Sequence, residues 1–219
     1  MDPPLLADLP ESDRRRFLST ARRRRFAKGQ IVFHAGDPGD TLHFVVEGHV
    51  AVCVGAETGD SSMVSVVGPG GFFGELALVG TSDRRSATVN ALDDVETLSI
   101  RREDFELLRS QHPSVDQILV CVLAAALQRT TALVAELLFV PAEQRVLRRL
   151  LAVCEVWGEL IPGMEIPLTQ EDLASLAGTT RSTANRALRQ AEAEGLVSLA
   201  RARLALKDPQ ALAVRAGAA

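Results

Sequence analysis

The feature that most constrains the fold is a helical segment from about Ser114 to Val140. Its apolar residues run all the way round the helix through the stretch Ile118–Leu127. A helix that is apolar on every side has to be buried on every side. One face can cover a neighbouring domain. The other needs a second partner, and the simplest is the same helix of a second subunit. Ile118, Val122, Ala125, Arg129 and Ala132 follow a heptad-like spacing with small residues among them, which allows two helices to approach closely. The competing arrangement is a central helix in a monomeric core, but a chain of 219 residues has little else to bury the outer stripe. The apolar run is ten residues long, too short for a bilayer, which takes about 20.

Before this helix the pattern is of a different kind. Ile31–His34, Leu42–Glu47, His49–Val54, Met63–Val67, Ala87–Leu92 and Val95–Ile100 are short runs rich in Val, Ile and Phe. Turn chemistry separates them: Gly36-Asp37-Pro38-Gly39-Asp40, Gly48, Thr58-Gly59-Asp60, Gly68-Pro69-Gly70-Gly71 and Asp93-Asp94. Many short strands with such breaks indicate an antiparallel barrel, roll or sandwich. Glu11 to Phe26 reads as a short helix carrying two arginine runs, Arg14–Arg16 and Arg22–Arg25. Such runs suit nucleic acid or anionic lipid, but a solvated helix face packed on an acidic domain is the favoured reading. Arg102–Arg109 reads as a short helix that His112-Pro113 breaks.

After the long helix, Pro141 interrupts the pattern. The residue before a proline is pushed out of the α region, and proline suits the start of a new helix, so Phe139–Ala142 is a candidate hinge. The expected division is an N-terminal helix and β-domain over 1–113, the long helix over 114–140, and a C-terminal domain over 141–219. In the last of these, Ala142–Trp157 reads as a helix and Gly158–Leu168, with Pro162-Gly163, as a small hairpin.

Thr169-Gln170-Glu171-Asp172 then opens a helix in capping-box fashion, and Gly178 stops it where a left-handed residue fits. Thr180 caps a second helix, Arg181 to about Glu194, closed by Gly195. Ala174, four residues before the first glycine, lets the two helices cross closely. This is the helix-turn-helix arrangement, whose second helix enters the major groove. Arg181, Ser182, Thr183, Asn185, Arg186 and Arg189 form its polar side, and Ala184, Ala187, Leu188 and Ala191 its core side. Arginine pairs with guanine, while Ser, Thr and Asn bind phosphates or bases. Thr169, Gln170 and Thr180 flank the turn. Leu196–Leu199 and Arg203–Leu206 read as a hairpin with Arg201 near its tip, a wing that touches phosphate.

Charge supports this only once it is resolved along the chain. The net charge is −4, which taken whole argues against nucleic acid. Yet residues 1–140 hold 14 Lys+Arg against 19 Asp+Glu, whereas 141–219 hold 10 against 9, and 181–207 hold six against two. Salt screens beyond about 8–10 Å, so a phosphate backbone feels the local value. Cys53, Cys121 and Cys154 are dispersed and odd in number, which points to a reducing, intracellular setting and to core positions. No metal-ligand spacing, P-loop, nucleophile elbow or Cys/His arrangement points to an enzyme.

The sharpest motif is Phe72-Phe73-Gly74-Glu75-Leu76-Ala77-Leu78, followed by Arg84-Arg85-Ser86-Ala87. Gly74 allows close backbone approach, a short helical turn after it offers N–H groups to an anion, and Arg85 with Ser86 can hold a phosphate. Glu75 suits a sugar hydroxyl or pairs with Arg85. A phosphate ester carrying a ribose fits this set, and so does a structural Glu75–Arg85 ion pair.

At this point the chain resembles bacterial transcription regulators of the cyclic-AMP receptor protein / fumarate-nitrate reduction regulator (CRP/FNR) superfamily, over about residues 15–207. The likeness rests on Gly29, Phe33, the Gly36–Asp40 turn, Gly48-His49-Val50, Phe73-Gly74-Glu75-Leu76, Arg85-Ser86-Ala87 and the helix-turn-helix from Thr169 to Leu188. The resemblance implies an α+β protein: a cyclic-nucleotide-binding antiparallel β-roll, a long dimerisation helix and a C-terminal winged helix-turn-helix. It implies a cytoplasmic homodimer with no membrane, a double-stranded DNA operator and RNA polymerase as partners, and cyclic AMP or a related cyclic nucleotide as effector, with no metal. In the cyclic-AMP branch, positions matching Glu75 contact the ribose and those matching Arg85 and Ser86 the cyclic phosphate. Gly74, Leu76, Ala77 and Ala87 complete that site. Two adjacent hydroxyl residues on the long helix contact the adenine, one from each subunit, and Thr130 and Thr131 match them. A constitutive regulator of the same fold, with a vestigial or different effector pocket, is the competing reading. Where the branch begins its recognition helix Arg-Glu-Thr, this chain has Arg181-Ser182-Thr183. It thus lacks the glutamate that would accept from a cytosine amino group, so the resemblance leaves the operator sequence open. The spacings of the iron–sulfur and haem branches are absent.

Overall fold

The computed structural model describes residues 10–55, 61–79 and 82–217. In chain order the elements are α1 (Glu11–Thr20), β1 (Arg22–Phe26), β2 (Ile31–Phe33), β3 (Thr41–Glu47), β4 (Val50–Gly55), β5 (Ser61–Val67), β6 (Phe72–Phe73), α2 (Leu76–Val79), β7 (Thr88–Ala91), β8 (Val95–Arg101), α3 (Arg102–Gln111) and α4 (Ser114–Phe139). There follow α5 (Ala142–Trp157), β9 (Glu165–Ile166), α6 (Gln170–Leu176), α7 (Arg181–Ala193), β10 (Val197–Ala200), β11 (Arg203–Leu206) and α8 (Pro209–Ala216). The chain packs as two compact units, one within Met1–Gly59 and Val67–Thr130, the other within Asp60–Val66 and Thr131–Ala219.

Two antiparallel four-stranded sheets, ordered β1-β8-β3-β6 and β2-β7-β4-β5, make the roll. The period of two along β3 sorts its residues. Val45 packs with Val50, Phe73, Val89, Ala91 and Val95 inside the roll. Leu42 and Phe44 point the other way, onto Leu78, Ile100, Phe105, Leu108, Val115 and Leu119, so the opposite face is closed by α2, α3 and the start of α4. The second unit is built on α5, whose Val146, Leu147, Leu150, Leu151 and Cys154 are buried. It packs on α6, α7 and α8, beside a three-stranded sheet ordered β10-β11-β9.

Three expectations need correction. Arg22–Arg25 is not helical: Ala21 is extended (φ −69°, ψ 142°), and the arginines form edge strand β1, paired with β8 from Arg22↔Ser99 to Phe26↔Val95. Helix propensity is a weak prior, and the ladder to β8, with Arg23 and Arg25 both pairing with Glu96, overrides it. Gly158–Leu168 is not a hairpin: its one strand, β9, pairs with β11 instead. Cys121 is exposed on α4 rather than in a core, while Cys154 is buried. Burial, with Glu155 adding to it, pushes the Cys154 thiol up to about 12. Along α4, Ile118, Val122 and Ala125 are half-buried, while Arg129 and Ala132 are exposed. β6 and α8 were not expected at all, and the Thr58-Gly59-Asp60 turn lies outside the described residues.

Candidate effector site and nucleic-acid interface

The backbone of Arg85 is tied to the roll independently of its side chain. Gly36 N–H donates to Arg85 O (2.9 Å), Arg85 N–H donates to Asp37 O (2.9 Å), and Gly39 N–H donates to Asp83 O (2.6 Å). The Gly36–Asp40 turn is therefore the brace of the arginine loop. Gly39 has to be glycine, since a Cβ there would lie 2.1 Å from the Ala77 Cβ.

The Arg85 side chain is nearly sealed, with the residue 5% exposed. Its Nη1 donates to Thr41 O (2.7 Å) and Gly74 O (3.1 Å), and its Nη2 to Thr41 Oγ1 (2.7 Å). The guanidinium carbon sits 4.1 Å from the centre of the Phe33 ring. Asp40 is 4.0 Å away and largely exposed. Among the described residues, Arg85 Nε is the buried side-chain polar atom with no partner. A buried donor left unpaired is costly, and an anion with several acceptor oxygens resolves it. Gly74 lies against this guanidinium at φ +88°, and a Cβ there would be 2.6 Å from Nη1.

Glu75 is half-buried, and among the described residues the carboxylate within ion-pair distance of Arg85 is that of Asp40. Burial raises the Glu75 carboxyl above its ordinary range, and its own backbone N–H and Arg85 oppose the rise. Its carbonyl accepts from Leu78 and Val79, which starts the α2 turn. Leu76 and Ser86 are exposed, and Ala77 and Ala87 buried. On α4, Thr130 and Thr131 are both exposed, and the Thr130 hydroxyl donates to Ala126 O (2.9 Å).

In the second unit the capping box forms as expected. Thr169 N–H donates to Asp172 Oδ2 (2.7 Å) and Asp172 N–H to Thr169 Oγ1 (3.1 Å). Gly178 takes φ +56°, and Thr180 Oγ1 accepts from Thr183 N–H (3.3 Å) to start α7. Arg145 on α5 clasps the turn, donating to Ala177 O (2.9 Å), Gly178 O (3.2 Å) and Val140 O (2.8 Å). Ala184, Ala187, Leu188 and Ala191 are buried, while Arg181, Ser182, Asn185, Arg186 and Arg189 are exposed on one helix and Thr183 is half-buried. Gln170 is half-buried, and Thr169 and Thr180 are exposed beside it. Three of these arginines meet carboxylates within the unit: Arg186 with Glu143 (2.7 Å), Arg189 with Glu192 (2.8 Å) and Arg181 with Glu171 (3.7 Å). Arg201 is exposed in the β10–β11 turn, where Ala202 holds φ +56°.

Comparison with known proteins supplies the deciding observation. Residues 23–112 match the cyclic nucleotide-binding domain and residues 144–215 the Crp-like helix-turn-helix domain. A CRP-like cAMP-activated global transcriptional regulator of Mycobacterium tuberculosis is 31% identical over 194 residues, covering 87% of this chain and 86% of that protein. The chain belongs to the CRP/FNR family of transcription regulators. The cAMP-activated global regulator Vfr of Pseudomonas aeruginosa is 30% identical, covering 83% of this chain and 87% of its own. Among solved structures, the c-di-GMP-responsive global regulator CLP of Xanthomonas campestris superposes with a TM-score of 0.75 at 27% identity, covering 90% of this chain and 99% of that one. As a CRP/FNR regulator, this protein is a ligand-responsive, DNA-binding transcription factor.

Residues that sequence reasoning missed now stand beside Arg85: Thr41, which offers it two acceptors, Phe33 beneath it, and His43 behind Thr41. Arg102 is another. Its guanidinium donates to Gly39 O (2.9 Å), Ala77 O (2.6 Å) and Leu78 O (3.3 Å), which joins the turn and α2 to the start of α3. Phe33 stood only as part of the family likeness, with no role at the site, and no motif marks Thr41, His43 or Arg102, which the fold brings in from distant positions.

Proposed function

We propose that this regulator senses cyclic AMP, or a close cyclic mononucleotide, and binds DNA as a homodimer. The observation that carries the effector reading is Arg85: a sealed guanidinium with one N–H unpartnered, against a glycine that leaves room for nothing larger. One such group suits one phosphate. Arg85 and Ser86 hold the cyclic phosphate, Glu75 accepts from a ribose hydroxyl, Gly74, Leu76, Ala77 and Ala87 shape the cradle, and Thr130 and Thr131 meet the base, as the family resemblance implies. The Mycobacterium and Pseudomonas relatives, both cAMP-activated, support the same nucleotide.

The dimer reading rests on α4. Val120, Leu127 and Val134 recur at seven-residue intervals and are 64%, 68% and 51% exposed. Leu123 or Ala124, Thr130 or Thr131, and Leu137 or Leu138 fall between them, which is the seam of a two-stranded coiled coil. By length and composition α4 also passes as a membrane span, with a mean hydropathy of 1.9 over its most apolar 18 residues. Its heptad seam and its place in this family favour a second copy as the cover, in the cytoplasm. The exposed face of α7, with Arg181, Ser182, Asn185, Arg186 and Arg189, enters the major groove, and Arg201 reaches phosphate. Thr169, Gln170, Thr180 and Thr183 lie at the turn beside the backbone. An effector that prefers one arrangement about Phe139–Ala142 shifts the population of dimers toward it, and RNA polymerase reads the result.

Titration calorimetry on nucleotide-free protein tests the effector, with cyclic AMP, cyclic GMP and cyclic di-GMP in separate arms. Saturable heat with cyclic AMP is expected. No heat with any nucleotide supports the constitutive reading, and heat with the dinucleotide alone overturns the mononucleotide assignment.

A further inference from the structure

The interior of the roll holds a polar thread that the family motif does not include. Arg85 Nη2 donates to Thr41 Oγ1 at 2.7 Å. That hydroxyl lies 3.3 Å from His43 Nε2, and His43 Nδ1 lies 3.1 Å from Thr97 Oγ1. His43 and Thr97 are both buried, Thr97 completely. The imidazole is stacked on Phe73, with centroids 5.1 Å apart and planes 9° from parallel, and Phe33 and Phe26 lie 6.2 Å and 6.4 Å from it. The thread thus runs through an aromatic box whose Phe33 also underlies Arg85.

The arginine fixes the direction at one end of the thread. A guanidinium has only donors, so Thr41 Oγ1 accepts from Arg85. The hydroxyl keeps its own proton, and the acceptor within reach is His43 Nε2. With the Thr41 hydroxyl as the donor to Nε2, the imidazole carries its proton on Nδ1 and donates it to Thr97. A protonated ring would make both nitrogens donors and set a second positive charge behind the Arg85 guanidinium. Burial supports the neutral form by pushing the imidazole down to about 4. Arg85 and Arg24 push the same way, and Asp40 pushes against them.

We propose that His43 is a positioning residue for the effector site: as a neutral, Nδ1-protonated imidazole it accepts from the Thr41 hydroxyl and so orients the oxygen that aims Arg85. Asn or Gln could accept in its place but would not fill the box, and Phe would fill the box without accepting. This inference rests on the reading of Arg85 as the phosphate ligand.

Two measurements on the full-length protein test it. The first is a double-mutant cycle by titration with cyclic AMP, using His43→Phe, Thr41→Val and the pair, with circular dichroism confirming the fold. Each single change is expected to weaken binding about tenfold, because each loosens the Thr41–Arg85 contact, and the pair no more than the worse single. Additive losses, or affinities within about twofold of wild type for both singles, overturn the proposal. The second needs no variant: the 15N resonances of His43 between pH 5.5 and 8. An unchanging Nδ1–H pattern is expected, and an Nε2–H tautomer or titration in that range overturns it. If the wild type binds and Arg85→Ala does not, while the His43 and Thr41 variants bind normally, only this inference fails. If the wild type binds no cyclic nucleotide, the effector reading fails first and the positioning role falls with it.

Discussion

The two units use arginine in opposite ways. In the roll, Arg85 is buried among neutral carbonyls and a hydroxyl, with its carboxylate neighbour at 4.0 Å on the rim. In the helix-turn-helix unit, Arg181, Arg186 and Arg189 are exposed, and each holds a carboxylate of its own unit. A buried charge is costly to leave unpaired, so the site is demanding about shape and tolerates few ligands. Exposed pairs are worth about 0–1 kcal/mol and exchange readily for phosphate or a base edge. The first arrangement suits a small effector recognised once. The second suits a polyanion on which many weak contacts are made and broken as salt varies.

Substitutions can break or sharpen this contrast. The largest effect is expected at Arg85. Arg85→Ala should weaken cyclic AMP binding by about a hundredfold or more, and retained micromolar affinity in calorimetry would refute its role. Next is Gly74→Ala. Its Cβ meets Arg85 Nη1 at 2.6 Å and Thr41 O at 3.0 Å, and its φ of +88° is unfavourable for an L residue. Denaturant unfolding should show a loss of about 1–3 kcal/mol, together with weakened nucleotide binding.

The third concerns pH and again separates the units. Folding holds His43 neutral down to about 4, against an unfolded value of 6.5. Below pH 6.5 the unfolded chain takes up a proton that the folded chain refuses, so stability falls as pH drops from 6.5 toward 4. The loss can reach roughly 3 kcal/mol, and His43→Phe should flatten it. Urea unfolding at pH 7 and pH 5 checks this.

Smaller effects are expected on the DNA side. Glu143→Gln frees Arg186 from its 2.7 Å pair and should tighten DNA binding by about twofold in a filter or anisotropy assay, more at low salt. Ala202→Gly relieves the wing's left-handed residue and should stabilise by roughly 0.5–1 kcal/mol, read as a rise in Tm.

The contrast also explains what could be read before the structure. The helix-turn-helix was legible because its signals are local: Thr169 and Asp172 are three residues apart, and Gly178 and Thr180 mark the turn directly. The same holds for the Gly74–Glu75 and Arg85–Ser86 motif. What surrounds Arg85 was not legible, because Thr41 and His43 reach it through the β3–β8 and β3–β6 ladders, and register is invisible in a single sequence. Arg22–Arg25 misled for a related reason. Four arginines look helical by propensity, yet an edge strand lets Arg23 and Arg25 share Glu96 across β8.

The central claim is that occupancy of the roll controls DNA binding. The most direct measurement is the affinity of nucleotide-free, full-length protein for a duplex selected from random sequence in the presence of cyclic AMP, taken with and without saturating nucleotide at one fixed salt concentration. The expected result is binding at least about tenfold tighter with cyclic AMP, lost in Arg85→Ala. Equal affinity in both conditions would contradict the claim.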